Sequence, residues 1–470
     1  DIGHRAHRGG SGRIDRDRTG RRASEDLLMS MNNTSHAMVT APSGVSRLTG
    51  WGANWHTHVS ALGELPDWGS TRRGHVNGLV AALDEAGLRG RGGGWFPTAV
   101  KMRAVADSAA TRRKVPVVIG NGMEGEPASG KDAVLLASAP HLVIDGLVLA
   151  AQAIGARDAY VAVHRGSPAS DVVAAAIALR SAGSQRGVTV QLIALPHRYV
   201  ASEESALARG VGGQLAVPVF GKRPFDAGTS GKPTLVSNVE TLANIALIAR
   251  FGPGWYRRQG SAAAPGTALV TVAGAVANPG VLEVALGTPV ADILASCGAV
   301  TAPIQAFLTG GYGGAWVGTE MADLEWTPET VSAVGGVVGA GILTVLSEQT
   351  CGIRETARVV RWMAGESAGQ CGPCRFGLSA IADDFQQLSN GQASNADFSR
   401  LAGRLGMVEG RGACKHPDGV VRFARSALTV FNDDLAAHLR GHCLHHASKP
   451  VLPVPAAAPI PAPLPGGEWK

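Results

Sequence analysis

Two cysteines at a short spacing are the first residues whose pattern predicts chemistry. Cys371 and Cys374 form a Cys-x-x-Cys pair in the stretch GESAGQCGPCRFG. Such a pair can bind zinc, exchange a disulfide or hold part of an iron–sulfur cluster, so three kinds of site are open at this point. An iron–sulfur run with three evenly spaced cysteines would need another one at position 368, where the chain has Ala368.

A dense glycine turn, GLRGRGGGWFPTAVKM at residues 87–102, precedes a predicted helix. Where no Cβ intervenes, backbone N–H groups can approach a phosphate or a flavin ring closely, and a helix start favours an anion. Arg91 inside the turn and Lys101 one helical turn later strengthen this interpretation. A glycine-rich turn is also found as a purely structural loop. The glycines concerned are Gly90, Gly92, Gly93 and Gly94.

Two acidic pairs follow at positions that suit a nucleotide site. Glu124 and Glu126 come after a predicted strand, and Glu203 and Glu204 begin a predicted helix. Either pair alone is explained by helix capping, because carboxylates are favoured at helix N-termini. They could instead accept hydrogen bonds from ribose hydroxyls or an amide. A later segment adds side chains suited to phosphates and rings: Lys222, Phe225, Lys232 and Asn238.

Composition excludes several classes of protein. The chain has 470 residues with 45% apolar residues and 63 glycines, which predicts several globular domains. No run of eighteen apolar residues predicts a membrane-spanning helix. The net charge of +6 arises largely from arginines in residues 1–25, so it does not predict nucleic-acid binding. Six cysteines without a secretory pattern favour a reducing cytoplasm.

The secondary-structure elements that must position these residues fall into three regions, each with its own sequence pattern. Between about residues 75 and 250, short β-branched runs alternate with helical stretches, which predicts a parallel α/β sheet with ligands at the strand ends. From residue 266, two strands, a helix and a strand predict a β-grasp module. From 351 to 440 the pattern is helical, which predicts a bundle holding the Cys-x-x-Cys.

The changes from one sequence pattern to the next give the expected domain boundaries. They predict a disordered or mis-annotated extension (1–42), an α/β domain (43–260), a β-grasp module (261–345), a helical domain (346–445) and a proline-rich disordered tail (446–470).

Several motifs in fixed order resemble one family, the NADH-binding flavoprotein (51 kDa, F-type) subunits of respiratory complex I and related NAD-linked hydrogenases and formate dehydrogenases. The motifs are GRGGGWFPT, NGMEGEP, SEES and GKPTLVSNVETLAN, followed by the β-grasp module and the cysteine-bearing helices. Trp95 stands where the family has glycine, which indicates a divergent branch. The resemblance implies a Rossmann-like FMN/NADH-binding domain, a β-grasp module of the SLBB type and a helical iron–sulfur domain.

The resemblance also implies roles for individual residues. FMN would lie against the glycine turn with NADH stacked on its ring. Lys101 and Lys222 would meet phosphates, Phe96 and Phe225 would form aromatic walls, and Asn121 and Asn238 would contact the flavin. Glu124 and Glu204 are the expected catalytic carboxylates beside the nicotinamide. The remaining expected cofactor-binding residues are Gly90, Arg91, Gly92, Gly93, Glu126 and Glu203.

The same resemblance makes the Cys-x-x-Cys part of an iron–sulfur site. Cys371, Cys374 and Cys414 match family ligands, whereas Ala368 replaces the first cysteine of the motif. The expected group is a 4Fe–4S cluster with another donor on its fourth iron, a three-iron cluster, or none. The candidates for that donor are Cys443, the histidines beside it and Cys351. Cys443 is preferred, and Cys351 is expected to be a packed apolar thiol.

The implied function is an NADH-oxidising oxidoreductase or electron-input subunit, in which a hydride passes from NADH to FMN and single electrons then pass through the cluster. The expected acceptor is a redox protein such as a ferredoxin or a membrane reductase subunit. The expected location is cytoplasmic, with membrane association through a partner and not by direct insertion. The alternative is a degenerate scaffold subunit with an incomplete cluster.

Overall fold

The first part of the computed structural model is built on a four-stranded parallel sheet. The structure describes residues 37–38, 46–180, 185–445, 449–455 and 469. The strands pair in the order β4-β3-β2-β5, all parallel and in continuous register. The predicted alternating pattern is therefore confirmed. The strands are β2 (Val117–Asn121), β3 (Asp158–His164), β4 (Thr189–Leu195) and β5 (Thr234–Asn238).

Helices cover this sheet. α5 is buried along its whole length and packs closely on α9, where a Cβ added to Gly146 would lie 1.8 Å from the Leu242 carbonyl oxygen. This close approach requires glycine at that position. The helices are α1 (Trp55–Leu62), α2 (Gly78–Ala86), α3 (Thr98–Arg112), α4 (Lys131–Ser138), α5 (Pro140–Ile154), α6 (Pro168–Leu179), α7 (Glu204–Val211), α8 (Pro224–Ala227) and α9 (Val239–Tyr256).

The second part is the predicted β-grasp module. Its strands form a six-stranded mixed sheet in the order β1-β7-β6-β10-β8-β9. Strand β1 comes from the segment predicted as an extension, most of which lies outside the described residues. The elements are β1 (Ala37–Met38), β6 (Thr267–Gly274), β7 (Gly280–Ala285), α10 (Val290–Ser296), β8 (Ile304–Thr309), β9 (Ala315–Val317), α11 (Pro328–Ala333) and β10 (Ile342–Ser347).

The third part is a helical bundle, as the periodicity predicts. A π-helical turn, Pro373–Leu378, joins the first two helices and contains Cys374. The Cys-x-x-Cys therefore lies between two helices, which confirms that prediction. The helices are α12 (Gly352–Gly365), α13 (Ser379–Ser389), α14 (Asn395–Val408), α15 (His416–Val430) and α16 (Asn432–Leu439).

Two further features complete the described chain. Within 449–455, the backbone N–H groups of Val451 and Leu452 both donate to the Glu355 carboxylate on α12. Among the described residues no single helix is long and apolar enough to span a membrane, and one bent pair, α4 with α5, passes by length and composition only.

Candidate functional site

A cavity of about 540 Å³ lies where the three parts of the chain meet. Asn121 and Asn238, the last residues of the neighbouring strands β2 and β5, border it. The glycine turn, residues 310–313 of the β-grasp module and residues 414–416 before and at the start of α15 complete the wall. This position at the carboxyl edge of a parallel sheet is where ligands of such sheets bind, and the volume suits a cofactor.

The glycine turn forms one wall of the cavity. The Gly90 N–H donates to the Phe96 carbonyl oxygen at 2.9 Å and closes the turn. Gly93 has a left-handed φ of 105°, and a Cβ on Gly92 would lie 3.2 Å from the Asn238 Cβ. The turn therefore brings bare backbone against the strand-end asparagine, as a flavin or phosphate cradle requires.

Arg91 anchors this turn to the protein. Its guanidinium is buried and donates to the Arg89 carbonyl oxygen, the Tyr256 hydroxyl and the Thr267 carbonyl oxygen. Its backbone N–H donates to the Thr241 hydroxyl. These contacts, and the Glu240 carboxylate 3.6 Å from Arg91 Nε, hold the turn in position; the predicted contact of Arg91 with a cofactor stays a prediction.

Trp95 borders the cavity without closing it. Its φ of 48° is strained for a non-glycine residue. The indole Nε1 donates to the Gly339 carbonyl oxygen at 2.8 Å, and the Arg91 guanidinium lies 4.5 Å from the ring centroid. The side chain is thus tied to the β-grasp module. Phe96 follows it and is 54% exposed at the edge of the cavity.

A buried lysine lies beside the strand ends, and the sequence analysis missed it. Lys131 Nζ lies 2.6 Å from Asp132 Oδ1, 3.0 Å from Glu240 Oε2 and 3.1 Å from Asn238 Oδ1. Asn238 Nδ2 also donates to Asp132 Oδ2. Burial disfavours the lysine's charge, but the two carboxylates outweigh it and raise the Lys131 pKa. This network fixes the Asn238 side chain. In the sequence, the segment Gly130-Lys131-Asp132 was the signal that could have pointed to Lys131.

Glu124 is a cap as well as a cavity residue. Its carboxylate accepts hydrogen bonds from the Asp132 and Ala133 N–H groups and from the Ser129 hydroxyl, at 2.7–2.9 Å. Its φ of 37° is left-handed. Burial, and then the charge of Asp132, raise the Glu124 pKa to about 7. The capping interpretation is therefore confirmed, and the catalytic role expected for Glu124 stays a prediction.

Glu126 reaches across to the β-grasp module. Its Oε2 accepts from the Tyr312 N–H at 2.9 Å and from the Tyr199 hydroxyl at 3.4 Å. Burial raises its pKa to about 7. Its Oε1 is buried and has no hydrogen-bond partner within the described part of the chain. A buried polar atom left unpaired at a cavity wall is suited to accept a hydrogen bond from a ligand.

The two carboxylates of the second acidic pair have different partners. Glu203 caps α7 by accepting from the Ser205 and Ala206 N–H groups at 3.0 Å each, and burial raises its pKa. Glu204 instead forms an ion pair with Lys101 across the cavity. The structure thus brings both carboxylates and Lys101 together.

Two predicted nucleotide residues lie elsewhere. Phe225 packs against the core of the α/β domain, and Lys222 is exposed on the segment before α8. Neither is among the described residues that border the cavity. Their proposed roles require contact with a nucleotide that extends beyond this cavity.

Three of the predicted thiols are neighbours. Cys374 lies near enough to Cys371 and Cys414 for both thiols to disfavour the ionisation of its own. Burial and these thiols raise the Cys374 pKa, and burial raises that of Cys414 to about 11. Cys414 also borders the cavity that the glycine turn lines. Cys374 is buried, and Cys371 and Cys414 are half-buried. Neighbouring thiols that disfavour one another's charge are a donor set that a cationic metal centre stabilises.

The expected fourth ligand is not among these neighbours. Cys443 Sγ lies within 4.8 Å of Cys351 Sγ, in a separate group. Ala368 packs in a small apolar cluster with Val200, Val217 and Trp469. Cys351 packs in the apolar core of the helical bundle, as expected, and its sulfur also has a polar partner in His438 Nε2 at 3.2 Å.

Comparison with known proteins agrees with this architecture. The profile of the Nuo51 FMN-binding domain matches residues 83–247, that of the SLBB domain residues 269–311, and that of the NADH-ubiquinone oxidoreductase-F iron-sulfur binding region residues 354–438. The predicted domain types are thereby confirmed.

Individual relatives match over most of the chain. The F-type subunit of NADH-quinone oxidoreductase from Mycobacterium bovis is 31% identical over 381 residues, covering 77% of this chain and 85% of that protein. The HndC subunit of an NADP-reducing hydrogenase from Solidesulfovibrio fructosivorans is 28% identical, covering 77% and 76%. A chain of an NAD⁺-reducing NiFe hydrogenase crystal structure is 31% identical with a TM-score of 0.70; the match covers 77% of this chain and 63% of that one.

Proposed function

This chain belongs to the family of F-type subunits of NADH-quinone oxidoreductase, and we propose that it is an electron-input subunit that oxidises NADH. One observation carries the proposal: a single cavity is bordered both by the glycine turn and by Cys414, which neighbours Cys371 and Cys374. A site that accepts a hydride and a site that carries single electrons are thereby adjacent.

The residues around the cavity fit FMN. Gly92 and Gly93 offer bare backbone, Asn121 and Asn238 offer amides at the strand ends, and Glu126 offers an unpaired buried oxygen. When bound, FMN supplies the conversion between a two-electron hydride and single electrons. Gly90 and Arg91 hold the turn in place.

We assign proton handling and substrate orientation to the acidic pairs. Glu124, with a pKa of about 7, can hold or release a proton at the strand-end side of the cavity. Glu203 fixes the start of α7, so that Glu204 and Lys101 face each other across the cavity. NADH would approach past the exposed ring of Phe96, and its far end would reach Lys222 and Phe225.

Cys371, Cys374 and Cys414 would hold the iron–sulfur cluster. His416 follows Cys414 closely, and its Nε2 lies 2.9 Å from the Met363 carbonyl oxygen. Burial lowers the His416 pKa to about 4, so the imidazole is neutral and adds no competing charge between cavity and thiols. The electron acceptor would be a redox protein in the cytoplasm, such as a ferredoxin or a reductase subunit at the membrane.

A cofactor inventory tests the proposal. The full chain, purified without oxygen, is expected to contain flavin, iron and labile sulfide, and NADH should bleach the flavin absorbance. In Cys414→Ser, NADH should still bleach the flavin, whereas reduction of a one-electron protein acceptor should be lost. A chain with neither flavin nor iron, or a flavin that NADH never bleaches, would contradict the proposal and favour the scaffold alternative.

A further inference from the structure

A second group of metal-binding side chains lies outside the site described above. Cys351 Sγ, one ring nitrogen of His438 and Cys443 Sγ all lie within 4.8 Å of one another. Cys351 and His438 are buried, and Cys443 is half-buried. They come from the start of α12, the last turn of α16 and the segment after it. All six cysteines lie within the described residues and are free thiols.

We propose that Cys351, His438 and Cys443 bind a zinc ion. Two thiolates and a neutral imidazole cancel the charge of Zn²⁺, so the site can be buried without an unpaired charge. Thiolate and imidazole are the donors that Zn²⁺ prefers, whereas Mg²⁺ and Ca²⁺ prefer oxygen. The proposal is independent of the function assigned above.

The spacing of the donor atoms fits tetrahedral zinc. With metal–ligand distances of roughly 2.0–2.3 Å, donor atoms around one zinc lie about 3.5–3.8 Å apart. The three donor atoms fall within 4.8 Å of one another, and Cys351 Sγ lies 3.2 Å from His438 Nε2. An outward adjustment of a few tenths of an ångström between this pair would admit the ion.

The surroundings hold the donors in position. Cys351 is the N-cap of α12, and the Arg354 N–H donates to its sulfur at 3.4 Å. Asp434 links the elements, because its carboxylate accepts from the Gly352 N–H at 3.2 Å and pairs with His445 Nε2 at 2.6 Å. Among the described Cys, His, Asp and Glu side chains, no fourth donor lies within 4.8 Å of all three, so the fourth coordination position is left to water.

The proposed zinc would fasten the end of the bundle. It would join the N-cap of α12 to the segment beyond α16. This site is separate from the group formed by Cys371, Cys374 and Cys414, of which Cys414 borders the cavity. This assignment also explains why Cys443 does not complete the other site: its thiol already has two partners.

Cobalt substitution tests the site in isolation from the iron–sulfur thiols. In a full chain carrying C371S and C374S, Co²⁺ should give thiolate charge-transfer absorption and intense tetrahedral d–d bands. Adding Cys443→Ser should abolish the charge-transfer band or weaken Co²⁺ affinity by at least about tenfold. Adding Cys297→Ser, which replaces a buried thiol elsewhere in the chain, should leave the charge-transfer band and the Co²⁺ affinity unchanged.

Zinc content provides the second readout. The chain with C371S and C374S is expected to retain zinc at about one per chain, and C443S should lose it while keeping its far-ultraviolet circular dichroism. Because Cys443 is half-buried, this variant preserves the fold more safely than one at Cys351. Zinc or cobalt binding unaffected by C443S, or a Cys351–Cys443 disulfide in protein purified without oxygen, would overturn the proposal.

Discussion

Lys131 and Glu240 form a buried ion pair beside the candidate flavin cavity, with 3.0 Å between Lys131 Nζ and Glu240 Oε2. Lys131 begins α4, which follows β2, and Glu240 lies in the first turn of α9, which follows β5. The pair therefore joins the two helices that start from neighbouring strand ends. Lys131 Nζ also donates to Asp132 and to Asn238, so one lysine holds the side chains of this part of the cavity wall in position.

Replacing Lys131 should destabilise the α/β domain strongly. Lys131→Met leaves Asp132 buried without its cation and leaves Glu240 only the Arg91 guanidinium, whose Nε lies 3.6 Å from Glu240 Oε1; we expect a cost of about 3–5 kcal/mol. We expect the melting temperature of the flavin-free protein to fall by roughly 10 °C. The matched control is Lys101→Met, which breaks a partly exposed ion pair with Glu204 worth at most about 1 kcal/mol. Equal melting temperatures for the two variants would show that the buried pair is not structurally important.

Adding one methyl group to the glycine turn should weaken flavin binding. In Gly92→Ala the new Cβ lies 3.2 Å from the Asn238 Cβ, so turn and strand end must separate by a few tenths of an ångström. We expect FMN affinity to fall roughly tenfold, equivalent to about 1.4 kcal/mol, as measured by titrating the apoprotein.

Gly403→Ala is the control for this change. A Cβ on Gly403, which lies on α14 and does not border the cavity, meets no atom within 4 Å in the described structure, and Gly403 has no left-handed φ. Its FMN affinity should match that of the unmodified chain. If both alanine variants bind FMN equally well, the close approach of Gly92 to Asn238 is not part of the flavin site.

The local sequence pattern was sufficient to predict much of the fold. The alternation of β-branched runs and helical stretches predicted the parallel sheet, because strands and helices have different periods. The same alternation placed Asn121 at a strand end. Asn238 was expected on a loop entering a helix, and only the structure shows that it ends the neighbouring strand β5. The glycine turn was recognisable because several glycines in succession remove Cβ atoms from one stretch of backbone.

Long-range pairing was what the sequence could not reveal. Lysines are usually exposed, so the Gly-Lys-Asp segment could draw attention to Lys131 but could not show that it is buried against Glu240. Cys351 is packed as expected, but the sequence did not reveal its partner His438, which lies 87 residues away. Cys443 was assigned to the iron–sulfur thiols from its position in the same bundle, whereas the structure places it beside Cys351. Only the folded chain shows which cysteines share a neighbourhood.

Restoring a cysteine at position 368 should strengthen the iron–sulfur site. Ala368→Cys supplies a fourth thiol three residues before Cys371, at the position where the family motif has a ligand. We expect the iron and sulfide content per chain to rise and the cluster to survive longer in air. Ala393→Cys is a control of equal burial, since both alanines are 7% exposed and Ala393 lies beyond the far end of α13. An unchanged iron content in Ala368→Cys would show that the fourth position is closed to a side-chain donor.

A buried glutamate away from the cavity should make stability depend on pH. Glu283 accepts hydrogen bonds from the Thr267 hydroxyl at 2.6 Å and the Leu48 N–H at 2.9 Å. Burial raises its pKa from 4.5 to about 7. Between these values the folded chain binds more protons than the unfolded chain, so this contribution to stability is complete below pH 4.5 and is lost as the pH rises through 7.

Glu283→Gln keeps the shape of the protonated acid at every pH, because its amide can donate to Thr267 while its oxygen accepts from Leu48. We therefore expect the variant to match the unmodified chain near pH 4.5 and to exceed it by up to about 3 kcal/mol above pH 7. Thermal unfolding of both proteins across pH 4.5–8 measures the difference, with Glu348→Gln as an exposed control that should show none. A stability difference independent of pH would mean that Glu283 is charged in the folded protein throughout this range.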